Sequence, residues 1–339
     1  MSIYVLTHLS FNSDSFLPQK TVKISVRIRL MYVKDSDMAK SLKYPRISFR
    51  QFVVGINTEA KAVALAWKFK HPEGWKCSGC GSEHFWQLKK QIEIRQCSDC
   101  LTRERLRPGT VFEKSKLPIL TWMQALYFVM QDKRGMSALT LQRLLGLTRY
   151  ETAWSMLMRI RRALMHRDRE YKIDGTVEID GAFYGHIKNE DGLLPTMIIG
   201  VESKKWVDSK GRQKERAGFA QVLHDPHGEE TKAAAKTFTK RSIKQSAQLK
   251  SDGRQMYKNL GRKHEVTKDL KWVNRFISNS KTWILGTHHG LKNPHKYLAY
   301  YMAEYTFRFN RRHDPNSLFH RALNAMIKTG PIPLHALTG

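Results

Sequence analysis

The chain has 339 residues, 41% of them hydrophobic, with 59 Lys+Arg against 30 Asp+Glu and a formal charge of +29. That length supports two or three domains with a sizeable core. So basic a chain repels itself without a polyanion, and nucleic acid is the usual one. A ribosome-associated or membrane-surface role is the alternative, weakened by 8 Trp, 12 Tyr and 15 Phe that call for a real core. No apolar run of about 18 residues is present, which excludes a transmembrane helix. No basic start precedes an apolar stretch, so no signal peptide is expected and the prokaryotic cytoplasm is the default location.

Residues 1–37 read as an upstream extension, loosely packed or outside the translated chain. An N-terminal strand in "KTVKISVRIRLMYV" is the alternative. Helical patterning begins at Met38. Over 48–70 one or two short helices are expected, with Thr58 at a helix start and Ala62, Ala64, Leu65 and Trp67 offering an apolar face. All four cysteines follow in "CSGCGSEHFWQLKKQIEIRQCSDC". Cys77 and Cys80 form one C-x2-C turn; Cys97 and Cys100 form a second after sixteen intervening residues. Two such turns joined by a hairpin bring four thiolates to one point, as tetrahedral zinc requires. Four thiolates leave no open coordination position, so this zinc holds a fold and does not catalyse. A thioredoxin-like redox pair would need a βαβ context that is absent. His84 reads as a hairpin surface residue.

Residues 119–165 read as three helices, "ILTWMQALYFVMQDK", "SALTLQRLLGL" and "RYETAWSMLMRIRRALM", the last two flanking a turn at 146–148. Thr148 and Glu151 have capping-box spacing. Trp154, Leu157, Ile160 and Leu164 form a stripe at helical spacing. Arg149, Arg159, Arg161 and Arg162 lie off that stripe and are candidate DNA contacts. The pattern fits a helix-turn-helix whose last helix enters a major groove; any three-helix bundle shows the same stripe.

After residue 172 the pattern changes to strand-like runs, "TVEIDGAFYG", "TMIIGVES" and "GFAQVLHD". A helix in "GEETKAAAKTFTKRSI", a strand in "SAQLKSDG" and further helices follow. This describes a mixed α/β sheet. Asp180 lies at the end of the first of these strands and Asp252 just past the fourth. If those strands are neighbours the carboxylates sit side by side, and both stay ionised only with a bridging cation, for which magnesium or manganese is suited. Taken singly, each aspartate is an ordinary strand-end or turn residue.

Seven pieces, "PEGWKCSGCG", "GMSALTLQRLLGLTRYETAW", "VEIDGAFYG", "SDGRQMY", "WVNRFISNSK", "GTHHG" and "YMAEYTFRFNRR", span about residues 46–315. In this order they resemble a prokaryotic insertion-sequence transposase family, the ISXO-type DDE/DDNK group. That family combines a zinc ribbon, a helix-turn-helix and a ribonuclease-H-like catalytic domain. The resemblance implies Asp180 and Asp252 as magnesium or manganese ligands, Asn274 at the third position where many relatives have Glu, and Lys281 beyond it. Asn offers an amide oxygen to the metal but no charge and no base. Lys281, seven residues after Asn274, shares its helical face and is suited to a DNA phosphate. Ser280 stands where an apolar residue is commoner. Glu178 points to the same face as Asp180, one step deeper. Glu304 is read mainly as an arginine-pairing or helix-packing residue; His288 and His289 as DNA contacts or structural groups; Arg308, Arg311 and Arg312 as contacts to the DNA backbone.

The expected fold is therefore multidomain α+β. It comprises the poorly ordered extension 1–37, short helices plus zinc ribbon 38–112, a helix-turn-helix region 113–170, and a ribonuclease-H-like mixed α/β catalytic domain 171–339. The implied function is metal-dependent cleavage and strand transfer at terminal inverted repeats, with structural zinc and catalytic magnesium or manganese. The implied partners are double-stranded DNA, both repeats and target, and further copies of the chain on it; the implied location is cytoplasmic, at the nucleoid. The alternative is a decayed or domesticated copy that only binds DNA.

Overall fold

A computed structural model describes residues 47–225 and 231–338; the expectation for 1–37 lies outside the described residues. Helix α1 (Phe49–Gly55) opens on a capping box, Ser48 with Gln51. Helix α2 (Glu59–Lys70) opens on Thr58, whose hydroxyl accepts from the Lys61 N–H at 3.3 Å. Strands β1 (Phe85–Gln87), β2 (Ile94–Cys97) and β3 (Arg103–Arg105) form an antiparallel sheet in that order. The β1–β2 hairpin is the expected one, with Phe85 opposite Cys97. Strand β3 has no counterpart in the sequence reading, because "RER" offers no apolar alternation to detect.

Helices α3 (Ile119–Gln131), α4 (Ala138–Leu145) and α5 (Tyr150–Asp168) follow. Ser137 caps α4, and Gly146, left-handed at φ 61°, closes it. The Thr148–Glu151 capping box does not form. Arg149 is the extended residue before α5, no side chain caps that end, and Thr148 stands one place too early. Leu157, Ile160 and Leu164 are buried as the stripe predicts, while Trp154 is half-buried, edge-on to Tyr297.

The chain continues through β4 (Thr176–Phe183), β5 (Thr196–Val207), β6 (Gln213–Asp225), α6 (Lys232–Ser242), β7 (Gln248–Ser251) and β8 (Lys263–Val266). Helices α7 (Lys271–His288), α8 (Pro294–Asn310), α9 (Leu318–Lys328) and α10 (Leu334–Thr338) complete it. The five strands form one sheet in the order β6-β5-β4-β7-β8. The first three are antiparallel neighbours; β7 runs parallel to β4, and β8 parallel to β7. Strand β8 was not foreseen: "KHEV" is four residues long and half charged.

Both faces of β4 are covered: one presents apolar Val177 and Ile179, and the other holds Glu178 and Asp180 before Ala182. Val177 and Ile179 share a core with Ala235 and Phe238 of α6. Ala182 and Tyr184 share another with Trp272, Phe276 and Ile284 of α7 and Leu298 and Met302 of α8. Strand alternation places Glu178 and Asp180 on that second face.

A third core joins Trp67, Trp122, Leu126, Leu157 and Leu164 to Phe319, Leu323 and Met326 of α9. The last long helix, in sequence part of 171–339, thus completes the core of the helical region. Helix α8 is tied to the same region by charge. Glu304, fully buried, accepts from Arg161 of α5 at 2.8 Å and from Arg308 at 2.6 Å. Arg311 donates to Asp168 of α5 at 2.7 Å. Among the described residues no helix is long and apolar enough to cross a membrane.

Candidate active site and zinc centre

The register of β4 and β7 carries the geometry. Their parallel pairing runs from Thr176↔Gln248 to Glu178↔Lys250. Two residues further along each chain, at the same level, stand Asp180, which lies inside β4 and not at its end as the sequence suggested, and Asp252, just past β7. Asp180 is half-buried, and its Oδ1 accepts from the Gly181 N–H at 2.8 Å. Asp252 follows β7 directly. Its Oδ1 accepts from the Arg254 N–H at 3.1 Å, and its Oδ2 pairs with Arg254 Nε at 2.9 Å. The turn after Asp252 requires glycine: Gly253 has φ +84°, and a Cβ there would lie 2.7 Å from Val266.

Helix α7 brings the remaining candidates to this face. Asn274 is exposed in its first turns, and Lys281 is exposed two turns on, with Nζ 5.7 Å from the ring centre of Tyr184. Ser280 is fully buried; its Oγ lies 2.7 Å from the Tyr184 hydroxyl. The polar residue at this position therefore has a partner just past the end of the strand that carries Asp180.

The residue that fixes α7 is Glu178. That helix has no side-chain cap of its own, its N-cap being Leu270. Glu178 Oε2 instead accepts from the N–H groups of Trp272 at 2.6 Å and Val273 at 2.9 Å. A carboxylate at a helix N-terminus satisfies orphan donors and meets the positive end of the macrodipole. Burial pushes its carboxyl above the ordinary value, and these two hydrogen bonds offset only part of that. The sequence signal for it was the shared parity with Asp180.

The outlying histidines and Glu304 are structural in position. His288 is edge-on to both Trp283 and Tyr301, and burial depresses it to about 3. His289 is exposed and closes α7 in the left-handed conformation. Glu304 is held below its ordinary value: burial pushes it up, but the Arg161 and Arg308 charges pull it down further.

Burial corrects most of the expected DNA-facing arginines. Arg161 is 1% exposed and spent on Glu304 and the Met136 carbonyl. Arg308 donates to the carbonyls of Val129 and Asp132 as well as to Glu304. Arg311 is buried on Asp168, and Arg312 is turned onto the carbonyls of Ala217 and Gly218. Arg162 donates to the Gly330 and Pro331 carbonyls, and Arg159 is half-buried, with burial lowering its pKa. Arg149 alone of the seven is exposed. Ten of the 19 residues of α5 are buried, against α4 on one side and α8 and α9 on others. Glu151, Ser155, Arg159, Arg162 and His166 stay exposed or half-buried along one face of it. Helix α4 has a more open face, where Leu139, Thr140, Arg143 and Leu144 are exposed.

The four cysteine sulfurs all lie within 4.8 Å of one another, and among the described residues they are the one such group of three or more metal-binding side chains. Cys77 Sγ is 3.4 Å from Cys100 Sγ, and Cys80 Sγ 3.6 Å from Cys97 Sγ. Tetrahedral zinc with about 2.3 Å Zn–S bonds spaces its sulfurs at about 3.8 Å, so the cluster fits. The Gly79 N–H donates to Cys77 Sγ at 3.3 Å, the kind of contact that steadies a thiolate. His84 is exposed.

Residues 172–310, from just before β4 to the end of α8, match the family model of the ISXO2-like transposase domain. Over that span the chain is similar to ISXO2-like transposase domains. Its match encloses the whole five-stranded sheet together with Asp180, Asp252, Asn274 and Lys281, and stops short of α9. No curated protein matches the chain. The match supports a transposase role, a class that generally carries nuclease or transferase activity.

Proposed function

We propose that this transposase binds the terminal inverted repeats of an insertion sequence, cuts a strand at each end and joins the freed 3′-hydroxyl to target DNA. The observation that supports this reading is the parallel β4–β7 pairing, which sets Asp180 and Asp252 level beside α7. The strand order and directions suit a ribonuclease-H-like core. Two carboxylates and the Asn274 amide are hard oxygen donors of the kind magnesium or manganese takes. The residues present fit such a cation, with Asp180, Asp252 and Asn274 as its holders and Arg254 as the partner Asp252 would release. When bound, the cation supplies charge neutralisation and activation of the attacking oxygen in phosphoryl transfer.

The protein's own groups supply the rest. Asn274 leaves the site one charge less negative than three carboxylates would, so a backbone phosphate meets less repulsion. Lys281 offers a point charge to hold that phosphate on the α7 face. Glu178 keeps α7, and with it both side chains, in register with the aspartates. Partners on this reading are duplex DNA and a second copy of the chain, assembled on paired ends at the nucleoid. The four-cysteine ribbon holds zinc, and α4 with Arg149 presents the DNA-facing side of the helical region.

The test is incubation with labelled element ends in Mg²⁺ or Mn²⁺, beside an Asp180→Asn variant. Strand cleavage by the wild type and none by the variant supports the reading. Equal inactivity of both, with binding retained, makes the protein a DNA-binding remnant.

A further inference from the structure

The β5–β6 hairpin outruns the sheet that carries it. Pairing of β5 with β4 ends at Ser203, yet β5 and β6 stay paired to Val207↔Gln213. From Lys204 to Val207, and across at Gln213, Lys214 and Arg216, every residue is exposed. A two-stranded ribbon with neither face covered has little to stabilise it in water. This one nevertheless presents Trp206 at 43% and Val207 at 55% exposure.

Charge says what covers it. Between residues 203 and 216 stand Lys204, Lys205, Lys210, Arg212, Lys214 and Arg216, against two acids. Both acids are engaged internally. Asp208 accepts from the N–H groups of Lys210 and Arg212 and pairs with the Arg212 guanidinium, which shapes the tip. Glu215 accepts from Ser203 Oγ at 2.6 Å and faces Lys271 at 3.8 Å. The register pairs Lys204 with Arg216 and Trp206 with Lys214. Cross-strand partners share a face, so one side of the ribbon carries Trp206 among three cations. Arg216 lies over the indole, 5.3 Å from its ring centre.

We infer that this arm is a second duplex-DNA contact, which lays its Trp206 face into a groove while its cations neutralise the flanking phosphates. A two-stranded ribbon fits a major groove, and an exposed indole among cations can stack on or wedge between bases. Asp180 lies level with Ile199, eight residues before Val207. At about 3.3 Å per residue the arm ends roughly 25 Å from the cleavage level, or about seven base pairs along a duplex. The inference rests on the transposase reading for its partner, but binding alone tests it.

The experiment measures binding of the full chain to a random-sequence duplex of about 30 base pairs by fluorescence anisotropy across a salt series. It compares wild type with Lys204→Gln/Lys214→Gln/Arg216→Gln and with Trp206→Ala, each first matched to wild type in melting temperature. Loss of three phosphate contacts should flatten the log–log salt slope by about 2.7, at roughly 0.9 per contact. Trp206→Ala should weaken binding about fivefold or more while leaving the slope intact. A triple variant with wild-type slope and affinity overturns the arm and leaves the transposase reading standing; a wild type that binds no duplex overturns both. A triple variant that changes only the oligomeric state makes the arm a protein interface and refutes the inference.

Discussion

Glu304→Ala tests whether the buried ion triad is a structural lock between the helical region and the transposase domain. Its two oxygens serve two guanidinium groups, Oε2 for Arg161 and Oε1 for Arg308. Side-chain exposure is 0% for Glu304, 1% for Arg161 and 11% for Arg308. Removing the carboxylate strands two buried positive charges whose remaining acceptors are backbone carbonyls, a loss of about 3–5 kcal/mol for breaking one buried pair. At about 2.1 cal/mol/K per residue, each kcal/mol moves the midpoint of a 339-residue chain by about 1.4 °C, so thermal unfolding followed by circular dichroism should fall by about 4–7 °C. Glu304→Gln should be nearly as costly, because its NH₂ would face one of the two guanidinium groups donor to donor. Arg161→Met combined with Glu304→Leu should recover part of the loss, since one uncompensated charge leaves with the acid. A Glu304→Ala midpoint within about 1 °C of wild type, about 0.7 kcal/mol on the same conversion, would refute the lock. Paired with lost strand cleavage, it would turn Glu304 toward the proposed site at Asp180 and Asp252.

Two further outcomes follow from burial. The purified chain should carry one zinc, and its removal, or Cys97→Ser, should lower the melting midpoint of the helical region too, since Cys77 and Cys97 belong to that region's core; metal analysis without zinc, or four cysteines found as disulfides, would contradict the assignment. His224 and His320 are each depressed by burial to about 4, and His288 to about 3. A base whose folded pKa is lowered contributes stability above its unfolded value of 6.5 and loses it as pH falls toward the folded value. At 1.36 kcal/mol per unit, His224 and His320 should each cost on the order of 3 kcal/mol by pH 4. Glu178, raised by burial, works in the opposite sense and offsets a part. Melting midpoints that stay flat from pH 7 to 4.5 would count against neutral buried histidines.

The parts of this molecule legible in the sequence are those where one local rule decides. The zinc knuckles needed only cysteine spacing, and the cap at Thr58 only a hydroxyl at a helix start. The strands that carry Asp180 and precede Asp252 are neighbours, the condition the sequence reading set for bringing the two together. What stayed hidden depends on partners far along the chain. Arg161 lies off the apolar stripe of α5 and so looks like a surface cation; only Glu304, 143 residues later, shows that it is buried. Arg308, Arg311 and Arg312 sit beside one another in a basic run that reads as a phosphate clamp, yet each is turned onto a different buried acceptor. Ser280 looks like a decayed apolar position until Tyr184 supplies its partner. The hairpin tip was passed over as a charged turn because its stretch of "SKKWVDSKGRQKERA" shows no burial pattern; its lack of burial on both faces is the feature that matters.

These corrections change how DNA would be held. With Arg161, Arg308 and Arg311 spent on buried acids, exposed charge suited to phosphates includes α4 with Arg149, Lys281 on α7, and the β5–β6 arm. Helices α5 and α8 lie between the first of these and the sheet, joined by Arg161–Glu304 and Asp168–Arg311. Helix α9 closes the same core from the far end of the chain. Ion pairs this buried are screened little by salt, and close-packed cores resist sliding. Under the proposed function, the spacing between the element that engages a DNA end and the aspartates that cut it is therefore set by packed helices. A flexible tether would allow cleavage at scattered distances from a bound end; this arrangement favours a fixed one.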